Sequence, residues 1–225
     1  AVCAILMLSL SRLATPGHAC TPAPADPSNV YFTDVTATSL KVHWTDNSSN
    51  EERFYIYYST VGASGPWTEA GYVSAGVTVY QHNNLTAGTH YWYQVKAWKS
   101  TAYNWSGPAA NNVWTLPPAP TLSTPTSPST SEIDLSWSNV SGDESGYKVE
   151  HSPNGTDSWG QIGTTNKDVT TYPHTGLSAG TQHWYKVRAY NASGDGAYSN
   201  VVSQWTRPAA PSNLSATRGS GLQVN

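Results

Sequence analysis

The sequence predicts an all-β protein: tandem seven-stranded antiparallel β-sandwiches, following one another in the chain. Three observations carry that prediction. The phrase "LTAGTHYWYQVKAW" at Leu85–Trp98 returns as "LSAGTQHWYKVRAY" at Leu177–Tyr190, an internal repeat of about 90 residues. Within each copy, apolar and polar residues alternate with a period of two. The alternating runs are short and end at turn-forming clusters, "DNSSNE" and "GASGP" in one copy, "SGDESG" and "SPNGTD" in the other. Successive side chains of a strand point to opposite faces, so such runs suit half-buried antiparallel strands. A solenoid repeats every 20–50 residues or so; this longer period means whole domains in tandem.

The opening "AVCAILMLSLSRLA" is apolar but falls short of the roughly 20 residues a membrane-spanning helix needs. Gly17 and Ala19 occupy the small-residue positions before a cleavage point, so residues 1–19 are expected to be a partial secretory signal. Residues 20–26, "CTPAPAD", read as a linker. Cleavage after Ala19 would place Cys20 first, where a lipid can attach, although Gly17 and His18 suit a lipoprotein signal poorly. Both cysteines, Cys3 and Cys20, lie in this part, and the body is expected to hold together by packing alone.

The first copy spans residues 27–116. There Leu40, Val42 and Trp44 alternate with Lys41 and His43, and Phe54, Ile56 and Tyr58 with Tyr55 and Tyr57. The second copy, residues 117–207, repeats the pattern with Ile133, Leu135 and Trp137, then Tyr147, Val149 and His151. Trp44 and Trp137 occupy the same repeat position and are expected in the two cores. Proline-rich "LPPAP" and "RPAAP" close the copies; consecutive prolines hold extended geometry and make short, semi-rigid joints. Residues 208–225 are expected to begin a third, truncated copy, since "PSNLSAT" echoes "PSNVYFT" and "GLQVN" echoes "SLKVH".

A core Trp followed about 40 residues later by Leu-x-x-x-Thr-x-Tyr-x-Tyr-x-Val-x-Ala resembles the fibronectin type III domain. Leu85, Thr89, Tyr91, Tyr93, Val95 and Ala97 stand in those places, as do Leu177, Thr181, Tyr185, Val187 and Ala189. "WTDNSSNE" and the "AGT" before the sixth strand are similar to the variant of bacterial extracellular proteins. The resemblance implies that Tyr91 is a tyrosine-corner residue, its hydroxyl tied to upstream backbone. His183 holds that place in the second copy. It is expected to pack as a structural histidine, with one hydrogen bond, at some cost in stability; the alternative is a switch that makes the second domain pH-sensitive near the imidazole pKa.

Chemistry-bearing motifs are sparse. The net charge of −3 and the 11% of charged residues offer no footprint for nucleic acid. None of the histidines falls at a zinc-ligand spacing with a carboxylate alongside, and His82 and His174 share one repeat position on separate copies, so no metal or cofactor is expected. Nucleophile-elbow, zinc-protease and phosphate-loop patterns are missing. The carboxylates cluster in turns: Asp46, Glu51 and Glu52, then Asp143 and Glu144. They are expected to be solvated loop caps, not a glycosidase pair. Seven Asn-x-Ser/Thr sequons decide nothing in a chain so rich in Asn, Ser and Thr.

No catalytic residue is therefore assigned, and the expected function is not enzymatic. The first expectation is a secreted or cell-surface spacer and adhesion module that positions an attached domain at a cell surface or polymeric substrate. If Tyr91 and Tyr93 point inward, Tyr55, Tyr57, Trp92 and Trp98 point outward, an aromatic face able to stack on sugar rings. A carbohydrate-binding module built on these four is the second expectation. An accessory region of an extracellular hydrolase, with its active site elsewhere, is the third. The expected partners are extracellular polysaccharide or a cell-surface protein, and a membrane only through a lipid on Cys20.

Overall fold

The computed structural model describes residues 22–100, 104–140, 143–213 and 215. The expected signal at 1–19, Cys20 and the third copy from residue 216 onward lie outside them. Every regular element among the described residues is a strand. Two compact units divide the chain between Pro118 and Ala119, the Tyr190–Gly196 turn being counted with the first.

In the first domain, β1 (Ser28–Thr33), β2 (Ser39–Thr45) and β5 (Val79–Asn83) form one sheet in the order β1-β2-β5. The facing sheet runs β4 (Thr68–Ser74), β3 (Arg53–Ser59), β6 (His90–Lys99), with β7 (Asn104–Trp105) and β8 (Ala109–Trp114) both pairing β6. All the pairings recorded are antiparallel. The period-two reading holds. Leu40, Val42, Phe54, Ile56, Tyr93, Val95 and Ala97 are fully buried, and Lys41, His43, Tyr55, Tyr57, Gln94 and Lys96 between them are not. Trp44, 3% exposed, packs its indole on Phe54 with ring centroids 5.5 Å apart.

The second domain repeats the plan with β9 (Glu132–Ser136) and β12 (Thr171–Thr175) in one sheet. The other holds β11 (Gly160–Asn166), β10 (Gly146–Ser152), β13 (Gln182–Asn191), β14 (Gly194–Asp195) and β15 (Val202–Trp205). Trp137 packs on Tyr147 at the same 5.5 Å. Among the described residues the second domain has one strand fewer than the first, seven against eight. Where β1 should recur, only two isolated bridges form, Leu122 with Trp137 and Thr126 with Asp134. The segment carries Pro117, Pro118, Pro120, Pro125 and Pro128, each lacking the N–H that a ladder needs.

One device recurs that the repeat comparison had not singled out. Tyr80 of β5 reaches across to the carbonyl of Ala70, and Tyr172 of β12 to that of Ile162. Each thereby bridges from one sheet to the edge strand of the other. A glycine makes room each time: a Cβ on Gly71 would lie 2.7 Å from the Tyr80 hydroxyl, and one on Gly163 2.4 Å from the Tyr172 ring. Gly71, at φ +153°, also sits opposite the register shift between Ile56 and Tyr57.

Candidate functional site

The outer face of the β4-β3-β6-β8 sheet gathers the aromatic residues of the first domain. Tyr55, Tyr57, Trp92 and Trp98 all lie there, half-buried, as the alternation requires. They do not form one patch. Tyr55 and Trp98 belong to a cluster at one end, with Tyr72 of β4 and Trp105 of β7. Tyr55 stands 5.4 Å from Tyr72, 6.0 Å from Trp98 and 5.0 Å from Trp105 between centroids. The guanidinium of Arg53 covers the Tyr72 ring at 4.5 Å and bonds the Tyr55 hydroxyl. The most open rings of this cluster are Tyr72, 53% exposed, and Trp105, 41% exposed.

Trp92 sits elsewhere. His90 is sandwiched between it and Trp114, at 3.8 and 4.1 Å. On this side Trp92, Trp67, Asn111 and Asn112 line a shallow cleft of about 210 Å³. Tyr57 falls between the two clusters, with the Lys96 ammonium 5.7 Å from its ring, and burial raises its phenol pKa. Sequence reasoning placed Tyr55, Tyr57, Trp92 and Trp98 on this face but did not single out Tyr72 and Trp105. Their strands pair at the margins of the sheet, in "TEAGYVS" and "NW", which carry too little alternation to fix a facing.

The same face of the second domain is ionic. Glu150, 8% exposed, lies 3.3 Å from Lys186 and 3.5 Å from Arg188 and accepts a hydrogen bond from Tyr198. Lys186 also stacks over Trp159 at 4.3 Å and over Tyr198 at 4.0 Å. Trp184 is covered by the Gly155 turn, where an added Cβ would fall 2.5 Å from its ring.

The expected core assignments take their places. Trp44, Tyr91, Tyr93, Trp137 and Tyr185 are buried, and the Tyr91 hydroxyl accepts the Thr86 N–H at 2.9 Å, closing the tyrosine corner. His183 is half-buried and bonded twice, to His151 Nε2 and to Thr181 Oγ1, each at 2.8 Å. His174 joins them and bonds the Tyr185 hydroxyl at 3.0 Å. Burial lowers the pKa of all three imidazoles, and for His151 and His174 the neighbouring rings add to it, leaving His174 at about 4. His82, the counterpart of His174 in the first domain, is likewise lowered by burial and bonds Tyr93. No group of three His, Cys, Asp or Glu among the described residues is arranged to hold a metal ion.

One expectation needs correcting. Glu144 is not a solvated cap: it is 2% exposed, and its carboxylate accepts the Asp168 N–H at 3.2 Å. Its repeat counterpart Glu51 does the same for Gly76 from a more open position. Both tie down the next turn rather than face a substrate cleft.

Two antiparallel sandwiches of this topology define an immunoglobulin-like β-sandwich array. The fibronectin type III domain model matches residues 25–111 and 117–205, and the chain belongs to that family. Such domains are in general non-catalytic modules. Chitinase A1 of Niallia circulans is 34% identical over 81% of this chain and 26% of its own length. Exoglucanase B of Cellulomonas fimi is 31% identical over 87% of this chain and 19% of its own, and human contactin-1 is 25% identical over 80% and 19%. The chain thus spans about a quarter or less of these relatives. A two-domain fibronectin type III segment of chicken tenascin, 19% identical, superposes with a TM-score of 0.49 over 80% of this chain and 99% of its own.

Proposed function

We propose that the two domains are a non-catalytic accessory segment of an extracellular protein, spacing or displaying an attached domain at a cell surface or polymeric substrate. The observation that supports this reading is how the chain uses its chemistry-bearing groups. The buried charges are spent inside the fold, Glu150 on Lys186 and Arg188, and Glu144 on the Asp168 turn. Proline-rich "LPPAP" between the domains favours a short joint. The bacterial relatives named above are a chitinase and an exoglucanase, which is consistent with a place beside a hydrolase. A fusion tests it: a glycoside hydrolase domain joined after the segment should lose turnover on insoluble polymer when the segment is deleted, with soluble-substrate turnover unchanged. Equal loss on both substrates would overturn the spacer role.

A second reading, carbohydrate binding, is favoured by the open rings of the first domain. Flat aromatic faces bury the C–H surface of a pyranose, and flanking groups such as Arg53 and Asn112 can bond its hydroxyls. Retention of the chain on insoluble cellulose, chitin or xylan, lost in Tyr72→Ala/Trp105→Ala or in Trp92→Ala, would establish it and name the cluster. Absence of retention on all three leaves the spacer role alone.

A further inference from the structure

His151, His174 and His183 meet at one pole of the second domain. His151 comes from β10 and His183 from β13 of one sheet, His174 from β12 of the facing sheet. Their ring centroids are 5.0 Å (151–174), 5.0 Å (151–183) and 6.2 Å (174–183) apart. The first domain holds Tyr58, His82 and Tyr91 at the corresponding places, so that pole meets acid with one imidazole where its counterpart in the second domain has three.

The hydrogen bonds assign the protons. Thr181 donates its hydroxyl to the Ser178 carbonyl at 2.7 Å, so toward His183 it is an acceptor, and His183 Nε2 carries hydrogen. Neutral His183 then has a lone pair on Nδ1, and His151 must donate to it from Nε2 across 2.8 Å. One added proton is tolerated if His151 moves its own hydrogen to the far nitrogen. A second leaves two N–H groups aimed at each other across that distance, and the bond is lost. His174 stands beside them as a third site of positive charge.

Among the described residues, none of the groups placed against the cluster compensates. Tyr185 of β13 and Thr181, just before that strand, bond the cluster, and across the ladders His151 is opposite Gly160 of β11, His174 opposite Ile133 of β9, and His183 opposite Gln204 of β15. None of these carries a charge. Burial and the imidazoles themselves are the causes that lower the three pKa values, with no carboxylate acting on any of them.

We propose that the second domain is an acid-sensitive module whose His151–His174–His183 pole loosens on protonation while the first domain stays folded. An imidazole in the unfolded chain takes its proton near pH 6.5, whereas the folded ones resist until lower pH. Between those values the unfolded state binds more protons. The stability present above pH 6.5 is therefore lost as pH falls toward about 4, the folded value of His174. Each excess proton weakens folding about tenfold per pH unit; with partial exposure discounted, the cluster should cost roughly tenfold to a hundredfold by pH 4.5.

Calorimetry of the whole chain from pH 7.5 to 4.5 tests this, with Trp137→Phe marking which transition belongs to the second domain. That transition should fall by several degrees more than the other, and the excess should shrink in His151→Tyr/His183→Tyr, which restores the residues of the first domain. Parallel fall of both transitions, or an undiminished excess in the double variant, overturns the proposal. Should that variant not fold, NMR titration of the unaltered chain decides: the three imidazoles should all titrate below the ordinary value near 6.5, His174 lowest, and ordinary titration would refute the cluster.

Discussion

Replacing Trp44 by alanine should unfold the first domain well before the second. The indole is 3% exposed and lies against Phe54, in a core with Leu40, Val42, Ile56 and Tyr93. A side chain of this kind buries about 200 Å², worth about 5 kcal/mol at 25 cal/mol per Å². Against that stands its Nε1–H, which has no hydrogen-bond partner among the described residues and costs about 1–3 kcal/mol. The net loss should be about 3 kcal/mol, enough to lower a 90-residue domain's midpoint by more than about 10 °C. Trp44→Phe keeps much of the packing and removes the orphan donor, so it should cost no more than about 1–2 kcal/mol. Calorimetry of the whole chain reads both variants. An unmoved first-domain transition would refute the core assignment. Phenylalanine proving as harmful as alanine would refute the account of the unpaired donor. Trp137, whose Nε1 is unpartnered in the same way, should repeat the pattern in the second domain.

Two further predictions concern single contacts. Tyr91→Phe strips Thr86 N–H of its acceptor and should cost the first domain about 1–2 kcal/mol by urea unfolding, without altering the second. Glu150→Ala leaves Lys186 and Arg188, 16% and 24% exposed as side chains, without their carboxylate; the second domain should lose about 3 kcal/mol, read as a lower urea midpoint.

The strands and cores were legible because burial in a two-layer sandwich has the period of the backbone itself. Leu40, Val42 and Trp44 announce their facing without help from any distant residue. The lost first strand of the second domain was written in its prolines, yet the repeat comparison masked it by supplying a strand in the first copy. The site was harder. Tyr72 and Trp105 join Tyr55 only because β4 and β7 pair with β3 and β6, a fact of register and not of local pattern. His151 and His183 lie within strand patterns visible in the sequence, whereas His174 shows there only as sharing its repeat position with His82. The convergence of the three depends on how one sheet lies over the other, which no spacing along the chain reports. Glu144 looked like any turn acid, and its burial follows from a hydrogen bond to a turn that is remote in sequence.

The contrast between the two outer faces also bears on folding fidelity. Tandem copies with near-identical core strands risk exchanging them during synthesis or refolding. If β13 were taken up by the first domain, Lys186 and Arg188 would arrive beside Tyr55 and Tyr57, where Tyr57 stands in the place of the buried Glu150 and the carboxylate opposite is the exposed Glu69 of β4. Glu150 would be left behind, buried, with both of its cations gone. An uncompensated buried charge is among the most costly single errors a fold can make. The divergence of the surfaces thus keeps each strand with its own sheet, even where the inward-facing residues would accept either partner.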